Sequence, residues 1–121
     1  MSRSVDLFIS SAAPVDELAA TIAARSGLTV DDADLDADGV RRVLRDGELA
    51  AVLHEHAYVD DGDLVLRPYR YALSLRTTVT GHLGLSPETA LLRRVAAALD
   101  DTAVLLVLDL QYRADNGEVT R

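Results

Sequence analysis

Val5-Asp6-Leu7-Phe8-Ile9-Ser10, followed across Ser11-Ala12-Ala13 by Pro14-Val15-Asp16-Glu17-Leu18, is the stretch that decides the fold. Alternation places Val5, Leu7 and Ile9 on one face of a strand. Phe8 points the other way, so this strand is expected to be covered in part on both faces, as an interior strand is. Pro14 suits the first helical position, where its missing N–H costs nothing. Asp16 and Glu17 then bring negative charge to the helix N-terminus, as the dipole favours. Val15, Leu18, Ile22 and the intervening alanines recur at helical spacing and predict an amphipathic helix. Gly27 is its expected stop, with Leu28 folding back as the hydrophobic contact.

The same pairing of apolar strand and Pro-started helix returns near the other end in reverse order. Ser86-Pro87-Glu88 reads as N-cap, first helical residue and acidic first turn. Leu91, Leu92, Val95, Ala96 and Leu99 form the buried stripe, with Arg93 and Arg94 facing out and Asp100-Asp101 closing the helix into a turn. Ala103-Val104-Leu105-Leu106-Val107-Leu108 is apolar on both parities, the mark of a strand covered on both faces. With helices on one side only, the other side needs a cover, either a dimer partner or the Tyr-bearing strand described next.

Between these units, residues 40–45 and 48–56 flank Asp46-Gly47, a hairpin signal because tight β-turns need positive φ. Residues 40–45 do not alternate cleanly, so a short helix competes there. Residues 64–77 form the longest strand candidate and change face at Pro68. Leu64 and Leu66 share one parity; Tyr69, Tyr71, Leu73 and Leu75 share the other. Proline cannot donate to a ladder, so a bulge or edge position is expected at Pro68, with Arg67, Arg70 and Arg76 on the solvent side or beside the bulge. The order strand-helix-strand-strand-helix-strand predicts an α+β protein, a ferredoxin-like two-layer sandwich of βαββαβ type. It has four mainly antiparallel strands, two helices on one face, and residues 5–10 and 103–108 as the central pair. A fifth strand at residues 40–45 extends the sheet if that stretch is not helical. Residues 1–113 are expected to form a single domain and residues 114–121, with Asn116-Gly117, a polar C-terminal tail that frays.

The chain has 121 residues, 49% of them hydrophobic, enough for a core without staples. It has no Cys, which removes disulfides, thiolate catalysis and Cys-based zinc sites. The formal net charge is −8, from 20 acidic and 12 basic residues, all 12 of them Arg. That balance argues against nucleic-acid binding, which calls for a basic face, and suits a basic protein partner. The N-terminus lacks the apolar core of a signal peptide, and no apolar run approaches the roughly 20 residues of a membrane span. A soluble cytoplasmic protein with no membrane partner is expected.

The motifs that carry chemistry are weak. Asp34, Asp36, Asp38 and Gly39 match the first half of a calcium loop, where alternate carboxylates and a Gly wrap oxygens around a cation. The second half fails, because Arg41 stands at the apolar position and Arg45 at the bidentate Glu position. His54-Glu55-His56 on a strand would put both imidazoles on one face about 7 Å apart, and His82 is the only further histidine for a zinc site. No phosphate-binding Gly-rich loop is present, and Ser10 and Ser11 lack the flanking glycines of a nucleophile elbow. No metal, cofactor or catalytic residue is assigned. Tyr69-Arg70-Tyr71 alternates aromatic, cation, aromatic, a recognition pattern, although core tyrosines around an outward Arg produce it too.

Asp6-Leu7-Phe8-Ile9-Ser10-Ser11 before a Pro-started helix, Pro68-Tyr69-Arg70-Tyr71-Ala72-Leu73, and a final Ala/Leu helix leading into residues 104–109 together resemble a group of small actinobacterial proteins. Relatives of that group include immunity proteins of polymorphic-toxin systems. The resemblance implies a non-enzymatic, protein-binding immunity or inhibitor module that neutralises a basic toxin through an acidic surface. Asp31, Asp32, Asp34, Asp36 and Asp38 form the first candidate patch, Asp60, Asp61 and Asp63 the second, with Tyr69, Arg70 and Tyr71 beside them. The alternative expectation is a small-ligand-binding or regulatory domain that forms a homodimer through its open sheet face.

Overall fold

The computed structural model describes residues 3–31, 41–55, 68–77, 86–108 and 118–119. Its elements are β1 (Arg3–Ile9), α1 (Val15–Ser26), β2 (Thr29–Asp31), β3 (Arg41–Asp46), β4 (Leu49–Glu55), β5 (Tyr71–Thr77), α2 (Pro87–Ala98), β6 (Val104–Leu108) and β7 (Glu118–Val119). The strands form one sheet in the order β2-β3-β4-β5-β1-β6-β7. The first six in that order pair antiparallel, and the two-residue β7 lies parallel to β6. The fold is α+β, an antiparallel sheet with two helices.

Strand parity divides the core. Val5, Leu7 and Ile9 of β1, Leu53 of β4, Leu73 and Leu75 of β5 and Leu106 of β6 pack in one cluster with Leu18 and Ile22 of α1 and Leu91, Leu92 and Val95 of α2. Both helices therefore cover one face. On the other face Phe8, Ala72 and Val107 form a smaller cluster, with Tyr69 and Leu105 packed against it. Phe8, Ala72 and Val107 are each fully buried within the single chain. The apolar run of β6 is thus covered on both faces, and these residues need no second copy to bury them.

The helix ends follow from local chemistry. Ser86 caps α2 by accepting a hydrogen bond from the Thr89 N–H, with Pro87 at the start of the helix. Gly27 closes α1 in the left-handed conformation at φ 73°, and the Gly27 and Leu28 N–H groups both reach the Ala23 carbonyl. Leu28 is buried beside the end it caps. The Arg25 guanidinium joins the two helices, donating to the Ala98 carbonyl and to Asp101 at 2.9 Å.

Several expectations change. Pro14 is the N-cap of α1 and not its first residue: its ψ of 156° is extended, and its carbonyl accepts the first helical bond from Leu18 N–H. The turn before it is held by the Ser11 hydroxyl, which accepts from the Ala13 N–H. The hairpin turn is Gly47-Glu48, because Asp46 still pairs with Leu49; Gly47 takes φ 60°. The register that brings Leu44, Ala51 and Leu53 inward sets that position one residue past the expected centre. Residues 41–46 are strand and not helix. Thr29-Val30-Asp31, for which the sequence predicts no strand, pairs with β3 as an edge strand, and Val30 packs on the core. The sheet therefore has more than the four or five strands expected. Pro68 precedes β5 and does not interrupt it, so the strand starts at Tyr71. Tyr69 and Tyr71 consequently part company, Tyr69 on the helix-free face and Tyr71 in the helix-side core. Glu118–Val119, in the expected tail, pairs with Leu106 and Val107.

Candidate functional site

The pairing register brings four strand ends to one end of the sheet. Arg41 opens β3 opposite His54, and Glu55 closes β4 opposite Tyr71, which opens β5 beside Ile9, the last residue of β1. Asp31 closes β2 opposite Val43, two residues from that end. Segments 32–40 and 56–67 are joined to the sheet at these positions. Asp32, Asp34, Asp36, Asp38, Asp60, Asp61, Asp63, His56 and His82 lie outside the described residues.

At this end Arg70 is exposed and held from three sides. Its Nε donates to Glu55 Oε1 at 2.6 Å, its Nη1 donates to the Ala12 carbonyl at 3.3 Å, and its guanidinium stands 5.0 Å from the Tyr71 ring centroid, within cation–π range. Tyr71 is buried, and its hydroxyl donates to the Ala13 carbonyl at 2.6 Å. Burial pushes the Tyr71 phenol pKa up. Tyr71 therefore supports Arg70 from below. Tyr69 is half-buried, its ring tilted on Phe8 at a centroid distance of 6.4 Å. Pro14, Val15, Glu55, Arg70 and Tyr71 line a shallow hollow of about 140 Å³. Asp31, expected in the acidic patch, is half-buried and ion-paired with Arg45 on the neighbouring strand.

A second constellation escaped the sequence reading. Asp6 lies in the middle of β1 with its side chain on the helix-free face, and it is fully buried. Ser74 stands directly opposite on β5, and its hydroxyl donates to Asp6 Oδ1 at 2.5 Å. Ser4 donates to Asp6 Oδ2 at 3.3 Å. His54, one strand further, brings Nε2 within 3.1 Å of the Ser74 hydroxyl, and its Nδ1 lies 3.3 Å from the Glu55 carbonyl. Burial raises the Asp6 pKa, against the opposing influence of the Ser74 and Ser4 hydrogen bonds and of the His54 and Arg76 charges. The signal was present in parity: Asp6 shares the face of Phe8, and a carboxylate on a covered face must find donors.

The order of this chain is carboxylate, hydroxyl, imidazole, with the hydroxyl in the middle. A serine hydrolase needs the imidazole in the middle. Both His54 nitrogens are engaged, and no group of three or more metal-ligating side chains occurs among the described residues. No helix among the described residues is long and apolar enough to cross a membrane. Compared with protein-family models, curated proteins and solved structures, the chain matches none.

Proposed function

We propose that the chain is a non-enzymatic protein-binding module of the immunity or inhibitor type, acting in the cytoplasm on a basic protein such as a toxin. The observation that supports this most is the common attachment of the two Asp-rich segments at the end of the sheet where Arg70 is held. Segments 32–40 and 56–67 contain seven Asp and one Arg. Elsewhere, Arg25, Arg42, Arg45, Arg70 and Arg94 are each ion-paired with a carboxylate. Unbalanced negative charge thus belongs to the segments joined to the sheet at one end, and it would accelerate encounter with a cationic partner. Arg70, already ordered by Glu55 and Tyr71, would lose little side-chain freedom on contact, which is what an interface anchor requires.

The test is capture of partners from host lysate by the wild-type chain and by a variant with Asp32, Asp34, Asp36 and Asp38 changed to Asn, followed by association kinetics with the captured protein. One basic protein is expected, bound more slowly at high salt and about tenfold or more slowly by the variant. Equal, salt-insensitive association by both chains would overturn the reading.

A second reading, a small-ligand or regulatory domain that dimerises through its sheet, is favoured by half-exposed Val52 and Leu105 on the helix-free face. The ferredoxin-like description belongs with it. Without β2, β3 and the two-residue β7, the remaining strands run β6-β1-β5-β4 with α1 and α2 as crossovers, the βαββαβ order, which β2 and β3 would extend at one edge and β7 at the other. Sedimentation of a concentration series separates the two readings, since a monomer at every concentration would remove the second.

A further inference from the structure

Arg25, Arg42, Arg45, Arg70 and Arg94 each hold a carboxylate. Arg41 and Arg76 are exposed and form no ion pair among the described residues. Register places both on the helix-free face. Arg41 lies opposite His54, His54 opposite Ala72 and Ala72 opposite Phe8, and Ala72 and Phe8 belong to the helix-free cluster. Arg76 stands four residues beyond Ala72 on β5, so alternation returns it to the same face. Between the two arginines Val52 and Ser74 lie opposite one another and, like His54, are half-exposed. Asp6 and Asp31, the carboxylates that the described strands bring to this face, are already engaged. Buried Asp6 accepts from Ser74 and Ser4, and Asp31 pairs with Arg45. The charge of Arg76 favours the Asp6 carboxylate, but the two form no ion pair.

We propose that the β3-β4-β5 part of the helix-free face is a docking surface for an extended acidic peptide of a partner protein, whose carboxylates reach Arg41 and Arg76 while the residues between them cross Val52 and Ser74. Charge complementarity selects the anion. On a chain of net charge −8, two arginines on one face without a carboxylate among the described residues are a local reversal of sign. Spacing selects the extended chain. Arg76 lies about 13 Å along the strands from the row of Arg41 and about 10 Å across two strand spacings, roughly 16 Å in all. An extended peptide brings side chains at i and i+4 to one side about 13 Å apart, a difference that two long arginine side chains close. For a single carboxylate to take both, the two side chains would have to converge fully, at a cost in conformational freedom.

Nucleic acid is the less favoured anion. Base stacking needs an exposed aromatic face, and here Phe8 is fully buried with Tyr69 packed on it. The net charge also repels a phosphate backbone. The surface uses none of the Asp-rich segments, so it stands whether or not they bind a basic protein.

The test is proton–nitrogen correlation NMR of the full chain titrated with a capped five-residue peptide, Asp at both ends and Ala-Val-Ala between. The control is the same peptide with Asn at both ends. The Asp peptide should shift the signals of Arg41, Val52, His54, Ser74 and Arg76, and the Asn peptide should not. Arg41→Gln and Arg76→Gln stand at exposed positions, and the same spectra report that the fold is kept. Each should weaken binding about threefold to fivefold, and high salt should weaken it further. Signals that neither peptide moves, or that both move equally, would overturn the proposal. So would binding left unchanged by both variants. Oligothymidylate held by the same residues more tightly than the Asp peptide would replace the proposal with a nucleic-acid surface.

Discussion

Asp6→Asn should stabilise this protein at neutral and alkaline pH, although it removes a buried charged group with three polar neighbours. The side-chain amide that Asp6→Asn introduces can donate permanently to Ser74 Oγ, its carbonyl can accept from Ser4, and Ser74 can then donate to His54 Nε2. The contacts among positions 4, 6, 74 and 54 thus stay filled with no buried charge at position 6. In the wild type, ionisation of Asp6 leaves a buried charge whose desolvation the Ser74 and Ser4 hydrogen bonds offset only in part, at a cost of about 1–3 kcal/mol. The sign follows from linkage. Burial raises the folded pKa of Asp6, so between the unfolded value of about 4 and the folded value the native state binds more protons than the unfolded chain. The free energy of unfolding therefore falls as pH rises through that window. This is the reverse of a salt-bridged Asp such as Asp101, whose pKa the Arg25 hydrogen bond lowers and whose contribution is lost toward acid. Subtracting wild-type from Asp6→Asn stability at each pH cancels Asp101 and the other carboxylates. Urea denaturation followed by far-UV circular dichroism gives that difference. It should be near zero in acid and rise to about 1–3 kcal/mol above the window, or roughly 4–12 °C in Tm. A difference that is flat with pH, or that favours the wild type increasingly as pH rises, would refute the reasoning.

Leu106→Ala should cost about 2–5 kcal/mol in urea denaturation, because Leu106 is buried in β6 against β1 and the helix layer; a cost near zero would remove β6 from the core. Gly27→Ala should cost about 1–2 kcal/mol, since the left-handed φ is strained for Ala although a Cβ there meets no atom within 4 Å; thermal melts should show Gly27→Asn less affected. Ser86→Ala should cost about 1–2 kcal/mol by leaving the Thr89 N–H without its cap, and chemical denaturation should show no change in m-value.

The elements that period and capping chemistry specify were legible in the sequence. The odd residues of β1, the Leu18–Ile22 stripe, Gly27, the Ser86-Pro87 cap and the doubly apolar β6 all stand where their patterns put them. What escaped depends on partners distant in sequence. Thr29–Asp31 is too short to alternate visibly and becomes a strand because β3 offers a free edge. Tyr69 sits in phase with Tyr71 as a sequence, but the strand begins only at Tyr71, so phase does not extend back to it. Of the candidate site, Arg70 keeps its exposed position and Tyr71 does not, because its hydroxyl is needed to close the turn before α1. Asp6, Ser74 and His54 are separated by long stretches of chain, and none belongs to a spaced motif; only the antiparallel register makes them neighbours.

That register gives the trio a structural consequence as well. Sliding β5 against β1 by one residue would turn Leu73 and Leu75 away from the helices, so the apolar pattern forbids odd slips. Slips of two residues preserve every apolar face, and apolar patterning alone does not exclude them. The polar residues do. In one direction Asp6 would come opposite Ala72, which has no side-chain donor to offer a buried carboxylate. In the other Ser74 would face Phe8, and Asp6 would come opposite Arg76, an exposed residue whose guanidinium would have to be buried with the carboxylate. Only the observed pairing, Asp6 with Ser74 and Leu7 with Leu73, satisfies both the apolar and the polar face. The buried network thus costs desolvation and returns specificity: odd slips are excluded by hydrophobic burial, even slips by hydrogen-bond accounting, and three central strands are held in one alignment by a single carboxylate, hydroxyl and imidazole.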